Sequence, residues 1–257
     1  MMRRAPVAAL AGIVTDIAGY REMERGNFRQ WEPASLVVPL VISFAGPFGI
    51  GIGSGAVIPW RSFAAGLWAG PVTIESGGDA WCLQVNFTPL GARRFFGVPM
   101  SEIARRLVEP EVLLGPAFLS LRDRLGDMPD WEARFRLVES FIAARLLQAP
   151  APSAQVAQAY RHIVASGGRA LISRVAAEVA WSRKHLAEKF ADEVGLTPKT
   201  VARIVRLERA IALSRAGTEA GWADIAAACG FADQPHLAGE FQALAGATPT
   251  EFMARAA

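Results

Sequence analysis

Arg174–Val201 reads RVAAEVAWSRKHLAEKFADEVGLTPKTV, and Ile225–Phe252 reads IAAACGFADQPHLAGEFQALAGATPTEF. The two stretches carry the same pattern. At an offset of 51 positions (236 − 185), His185-Leu186-Ala187 matches His236-Leu237-Ala238, Phe190 matches Phe241, Gly195 matches Gly246, and Thr197-Pro198 matches Thr248-Pro249. The same offset pairs Ala176-Ala177 with Ala227-Ala228. Such self-similarity marks one supersecondary unit used again, and two copies make a duplication, not a solenoid.

Each copy predicts helix, tight turn, helix. Ile172, Val175, Ala176 and Val179 fall at i, i+3, i+4, i+7, one apolar helical face. Ala180-Trp181 interrupts it, and Ser182 stands where an N-cap side chain accepts from a free backbone N–H. The following helix turns Leu186 and Phe190 inward and Arg183, Lys184, Glu188 and Lys189 outward. In the second copy Ile225, Ala228 and Cys229 make the expected inner face, Gly230-Phe231 the turn and Asp233 the cap. Pro235 falls in the first helical turn, where its missing N–H costs little. Two short helices with a polar outer face on the second form a helix-turn-helix DNA reader. Helical hairpins in an ordinary bundle share this periodicity, so the doubling and the turn chemistry are what favour the reader.

Gly230-Phe231-Ala232-Asp233-Gln234-Pro235-His236-Leu237, followed by Phe241, Gly246, Thr248-Pro249 and Phe252, resembles the signature of AraC-type transcription regulators. Ala176–Pro198 resembles the first helix-turn-helix of that family, so the likeness covers about the last hundred residues. It implies a long helix joining the two units, so that both present their second helix to one face of a duplex. Thr197 caps such a helix, Pro198 opens it, Val201, Ile204, Val205, Ala212 and Leu213 give it an apolar side, and Gly217 lies where it should stop.

Outward from this region, the composition bounds the remainder. The 257 residues suffice for two ordinary domains. Cys82 and Cys229 are too few and too far apart for a disulfide framework or metal site; they read as small buried hydrophobes in a reducing cytoplasm. Met1-Met2-Arg3-Arg4 before Ala5–Val14 has a faint secretory look, but Pro6 and the absence of a cleavage site before Asp16 favour a plain N-terminal strand or arm. Pro33–Trp60 is uncharged, yet Pro39, Pro47, Pro59 and the glycines at 46, 49, 51, 53 and 55 exclude a membrane helix.

Short strands are expected instead at Leu36–Val38, Leu40–Phe44, Leu67-Trp68, Val72–Ile74 and Trp81–Phe87, with turns at Gly70-Pro71 and Gly77–Asp79. From Pro89 the spacing turns helical: Gly91–Phe96, Met100–Val108, Pro116–Leu125 and Trp131–Leu147. Gln148–Ser153 (QAPAPS) reads as a linker. The predicted fold is therefore α+β: a small β-barrel or sandwich with following helices, then an all-α part with two helix-turn-helix units and a connecting helix. The expected boundaries are 1–148 (β-rich 1–88, helical 89–148), linker 149–153, and 154–257. Phe87-Thr88-Pro89-Leu90-Gly91-Ala92, Gly97-Val98-Pro99-Met100, Leu113-Leu114-Gly115 and the helix from Arg134 look like the sensor-side domain of some AraC-type regulators, a looser match.

Nothing in the chain reads as a catalytic constellation. Its histidines, His162, His185 and His236, all lie beyond the linker; HxH, HExxH, GxSxG and GxxxxGK[ST] are absent. Gly49-Ile50-Gly51-Ile52-Gly53 lacks the helix that a dinucleotide fingerprint needs. No enzyme, cofactor or metal is predicted. The competing reading is a ligand-binding barrel, or a barrel enzyme, with a helical appendage. Phe44, Trp60, Trp68 and Trp81 are candidate walls of a ligand pocket, with Gln84 or Asn86 orienting the ligand, although such aromatics also serve as plain core.

Charge separates the two repeats. Gln158–Arg215 holds eleven basic and five acidic residues, a balance of +6; Ala216–Ala257 holds one base, Arg255, and five acids, a balance of −4. Phosphate attraction is expected on the first unit and the connecting helix. Arg183, Lys184, His185 and Glu188 are the expected base-edge contacts, and Ser182, Lys189, Arg203 and Arg206 the expected phosphate contacts. Gln234 and His236 are expected in the next major groove. Alternatively, His185 and His236 pack beside the inward leucines, and Arg206 and Arg209 form a solvated helix face. The expected partners are double-stranded operator DNA, a small-molecule effector, a second copy of the chain and RNA polymerase. The effector, the operator and the sign of regulation are not written in the sequence.

Overall fold

The computed structural model describes residues 1–22, 26, 28–216 and 221–256. In the N-terminal half two antiparallel sheets pack face to face. One runs in the order β1 (Met2–Arg4), β2 (Val14–Arg21), β9 (Trp81–Phe87), β4 (Val38–Ala45), β7 (Phe63–Ala65), β10 (Leu107–Val108). The other runs β3 (Phe28–Glu32), β8 (Val72–Ser76), β5 (Phe48–Ile52), β6 (Ile58–Trp60). The sheets stay open, so of the two predicted shapes the sandwich is the one formed, not a closed barrel.

Strand β9 shows why the larger sheet sits at the centre. Its alternation sends Leu83, Val85 and Phe87, all 0% exposed, to the helical side, while Cys82 joins Val41, Phe48, Ile50 and Phe63 between the sheets. Of the predicted segment Leu36–Val38 only Val38 is in a strand; it runs on through Leu40–Phe44 as the single strand β4, with Pro39 inside it opposite Asn86. Leu67-Trp68 forms no strand.

Helices α1 (Pro89–Phe96), α2 (Met100–Ile103), α3 (Pro110–Leu114), α4 (Pro116–Asp127) and α5 (Trp131–Leu146) follow. The helical spacing of Met100–Val108 continues past the real end of α2. Arg105 adopts φ 63°, and the chain turns into β10. That turn crosses directly over Gly66, where a Cβ would lie 1.9 Å from the Ile103 carbonyl oxygen; only glycine permits the approach.

The C-terminal part contains α6 (Ala154–Ala165), α7 (Ile172–Glu178), α8 (Arg183–Val194), α9 (Pro198–Arg215), α10 (Trp222–Cys229), α11 (Gln234–Ala245) and α12 (Pro249–Ala256). Ser153 caps α6, and its own N–H donates to the buried Glu193 carboxylate at 2.8 Å, so the QAPAPS segment is anchored at its far end. The predicted stop of α9 at Gly217 lies outside the described residues.

The two halves share one apolar core, and α1 and α2 pack on α8. Between β3 and β4 the chain reaches the C-terminal helices: Ala34 N–H donates to the Leu244 carbonyl on α11 at 2.7 Å, and Leu36 N–H donates to the Glu208 carboxylate on α9 at 3.1 Å. Burial pushes that carboxyl up from its ordinary pKa, against the pull of the Leu36 N–H.

Candidate nucleic-acid interface

The first unit is α7–turn–α8. Val175, Ala176 and Val179 are buried on α7, and Leu186 and Phe190, both 0% exposed, fix α8 beneath. Ser182 Oγ accepts from His185 N–H at 3.1 Å, as its N-cap position predicts. At the far end Gly195 takes φ 92°, and Thr197 Oγ1 accepts from Thr200 N–H at 3.3 Å to start α9. Arg183, Lys184, His185, Glu188 and Lys189 are all exposed on one stretch of α8. Lys184 and Glu188 approach to 3.9 Å with side chains 89% and 61% exposed, a contact too solvated to hold either in place.

The second unit, α10–turn–α11, repeats this frame. Asp233 Oδ1 accepts from His236 N–H at 2.8 Å, Leu237 and Phe241 are 0% exposed, and Gly246 closes α11 at φ 70°. Thr248 and Glu251 cap α12 reciprocally, Thr248 N–H donating to Glu251 Oε2 at 2.8 Å and Glu251 N–H to Thr248 Oγ1 at 3.4 Å.

The repeat offset is 51 only from the caps onward. In the leading helices the equivalent residues are 50 apart. Trp181 N–H donates to the Ala176 carbonyl and Phe231 N–H to the Ala226 carbonyl, both at 2.9 Å, while Ala180 and Gly230 occupy the same left-handed position (φ 56° and 76°). The buried sets agree: Val175, Ala176 and Val179 correspond to Ile225, Ala226 and Cys229. The expected pairing of Ala176-Ala177 with Ala227-Ala228 is therefore one residue out, and Ala228 faces solvent instead of the core. The difference is Ala232, an extra residue between the turn aromatic and the cap.

Both histidines pack against that aromatic. His185 meets Trp181 edge-on at 4.6 Å between centroids, and His236 meets Phe231 at 5.5 Å. His236 Nδ1 also accepts from Ala232 N–H at 3.2 Å. Each ring braces its turn while remaining exposed. Gln234 is exposed at the start of α11. Arg203 is engaged within the protein: its Nε donates to both Glu240 carboxylate oxygens, at 3.0 and 2.8 Å, tying α9 to α11. Arg206 Nη1 donates to the Gly230 carbonyl at 3.3 Å, and its guanidinium lies 5.1 Å over the Phe231 ring.

The six candidate pocket residues do not meet in one place. Phe44, Trp60 and Trp81 line a partly open cavity of about 700 Å³ together with Arg61, Glu109 and Arg122. Trp60 Nε1 is buried there without a partner. Trp81 also lines a second cavity of about 570 Å³ with Arg21, Trp131 and Arg134. Trp68 lies apart, under the Arg105 guanidinium at 4.9 Å. Gln84 donates to Asn86 Oδ1 at 2.8 Å and Asn86 to Asp16 Oδ1 at 3.0 Å, a chain of polar groups alternating with the helix-facing residues of β9.

Arg134 escapes the sequence reading. It is 6% exposed, donates through Nε to the Leu125 carbonyl at 2.9 Å, and lies 5.2 Å from the rings of Trp81 and Trp131. Burial lowers its pKa. An arginine beside Phe135 on the apolar side of a helix is the signal that could have found it.

Among the described residues no cluster of His, Cys, Asp or Glu could hold a metal, and no helix is long and apolar enough to cross a membrane.

Residues 175–255 match a family model described as a helix-turn-helix domain. This region is a helix-turn-helix domain. Around it, the whole chain resembles the two-part fold of ToxT from Vibrio cholerae. One crystal structure of ToxT with a bound unsaturated fatty acid superposes with a TM-score of 0.51 and 10% identity, over 92% of this chain and 94% of that one. Another, with (E)-4-(8-methylnaphthalen-1-yl)but-3-enoic acid, gives 0.50 and 10% identity, over 94% and 98%. At that identity the likeness is one of fold. No curated protein sequence matches the chain. Within the helix-turn-helix domain the outer face of α11 carries Pro235, Ala238 and Gly239, with Pro235 and Gly239 standing where α8 carries the charged Lys184 and Glu188.

Proposed function

We propose that the chain is a sequence-specific DNA-binding transcription regulator whose N-terminal half, residues 1–148, holds a small effector or pairs two chains. The observation that carries this reading is the doubled frame: two capped helices whose apolar sides are wholly buried and whose opposite sides are free. Arg183, Lys184, His185 and Glu188 read base edges from α8. Ser182 and Lys189 meet phosphates beside it, and Gln234 and His236 read the next major groove. Arg203 acts through Glu240, holding α11 at its angle to α9, and Arg206 serves both the turn and the backbone.

The effector site in this reading is the cavity lined by Phe44, Trp60 and Trp81. The three aromatic rings share this lining with Ser43, Arg61, Glu109, Glu111, Arg122 and Asp123, a wall that suits a small molecule carrying both a ring or chain and polar groups. The fatty acid bound to ToxT, a protein of the same fold, supports a small-molecule occupant here. Ala34, bonded to α11, and Leu36, bonded to the connecting helix α9, link that half to the DNA-reading part. The protein so described works on promoter DNA in the cytoplasm without catalysing a reaction, and meets RNA polymerase there.

The test is selection from a random pool of duplexes. The full chain should enrich one motif family with two recognition segments about one helical turn apart. Failure to enrich any sequence would refute the proposal.

A further inference from the structure

Three arginines converge between the two reading units. Arg169 ends the turn that leads into α7, and Arg206 and Arg209 lie one helical turn apart on α9. A Cβ on Gly230 would lie 3.0 Å from Arg169 Cγ, and Gly230 O accepts from Arg206 Nη1 at 3.3 Å. A Cβ on Gly168 would lie 2.9 Å from Arg206 Cγ, and one on Gly167 2.6 Å from Arg209 Nη1. Gly167, Gly168 and Gly230 all have positive φ (61°, 74° and 76°), so the two turns bring bare backbone up to the three side chains.

Their charges are left open. Arg203 on the same helix is neutralised by Glu240, whereas Arg169, Arg206 and Arg209 have no ion-pair partner among the described residues. Only carbonyl oxygens accept from them: Ser166 O from Arg169 Nε at 3.3 Å, and Gly230 O from Arg206. Arg206 Nε is buried with no acceptor. All three positive charges act on the Cys229 thiol, which places them around one point, and the planar guanidinium fork suits phosphate oxygens.

We propose that Arg169, Arg206 and Arg209 form a clamp for DNA backbone phosphate, gripping the strand that passes between the two major grooves read by α8 and α11. This rests on the regulator reading. The clamp is built from the entry to the first unit's leading helix, the connecting helix and the end of the second unit's leading helix. In a helix-turn-helix the leading helix is the one that crosses the backbone. Arg169 and Arg209 thereby gain a role that their sequence context does not suggest, and the acidic second unit borrows positive charge from its neighbours.

The experiment measures affinity against salt for the full chain on the enriched duplex and on an unenriched one. Arg169→Gln and Arg209→Gln should each flatten the log–log slope by about 0.9, the value for one phosphate contact. The ratio between the two duplexes should stay fixed, because phosphate contacts carry no sequence information. Arg209→Lys should keep the slope. Arg124→Gln, on the exposed side of α4, controls for net charge, and unchanged thermal melting shows that the variants fold. Slopes equal to that of the Arg124→Gln control would overturn the clamp while leaving the regulator reading intact. Thermal stabilisation by inorganic phosphate that Arg209→Gln abolishes, with DNA slopes unchanged, would also overturn it, in favour of a free-anion site. A wild-type chain that binds no duplex would overturn both.

Discussion

The two helix-turn-helix units share a skeleton and differ in surface. In each, a capped second helix buries a leucine and a phenylalanine completely, leans a histidine on the turn aromatic, and ends on a left-handed glycine. On the outside, α8 offers arginine, lysines, histidine and glutamate, while α11 offers glutamine, proline, histidine and glycine. The buried positions are dictated by folding and recur. The exposed ones are free of that constraint, and there the units diverge; the stretch Gln158–Arg215, which adds the connecting helix to the first unit, carries +6, and Ala216–Ala257 carries −4. The surplus of positive charge lies with the first unit taken together with the connecting helix α9, not with the second unit.

The largest expected effect tests the shared skeleton. Phe190→Ala and Phe241→Ala each delete a fully buried ring and should each cost about 3–5 kcal/mol in urea unfolding. A cost under about 1 kcal/mol at either position, far below the usual range, would show that the two cores are not equivalent.

The surface difference is tested next. Lys184→Ala should weaken binding to the enriched duplex by about 1–3 kcal/mol and relax its sequence preference. Gln234→Ala should cost less in the same titration. The reverse order would make the second unit the principal reader.

The smallest effect concerns the turns. Ala180 holds at φ 56° the position that Gly230 holds at 76°, a conformation that strains an alanine but not a glycine. Ala180→Gly should therefore stabilise the protein by about 1 kcal/mol, read as a rise in melting temperature. Gly230→Ala should do the opposite, because its Cβ would also press on Arg169. No gain from Ala180→Gly would mean that the first turn relaxes its strain elsewhere.

Much of this architecture was legible because it rests on local chemistry. Ser182, Asp233 and Thr197 announce helix starts by their side-chain oxygens, and the alternation of Trp81–Phe87 marks a strand with both ends correct. The one-residue slip between the leading helices was not legible. Ala226-Ala227-Ala228 matches Ala176-Ala177 equally well at offset 50 or 51, and only the hydrogen bonds to Trp181 and Phe231 distinguish them. The early end of α2 depends on Gly66, a remote residue that lets the chain turn across it. Similarly, aromatic composition announced a pocket without its membership. Strand direction and pairing put Gln84 and Asn86 with Asp16, away from Phe44, Trp60 and Trp81. The ties of Arg203 to Glu240 and of Arg206 to Gly230 were equally hidden, since a basic stripe on a helix reads the same whether it faces solvent, carboxylate or phosphate.

Ala232 also constrains engineering. A specificity graft from α8 onto α11 has to count forward from Ser182 and Asp233, so that Arg183 is written over Gln234 and Glu188 over Gly239. Counting from the buried alanines of the leading helices would shift every transplanted side chain by about 100° around the axis, one residue of a 3.6-residue turn. Such a chimera would lose the Asp233 cap to Arg183 and put Leu186 on the exposed position of His236, leaving alanines over the buried Leu237 and Phe241.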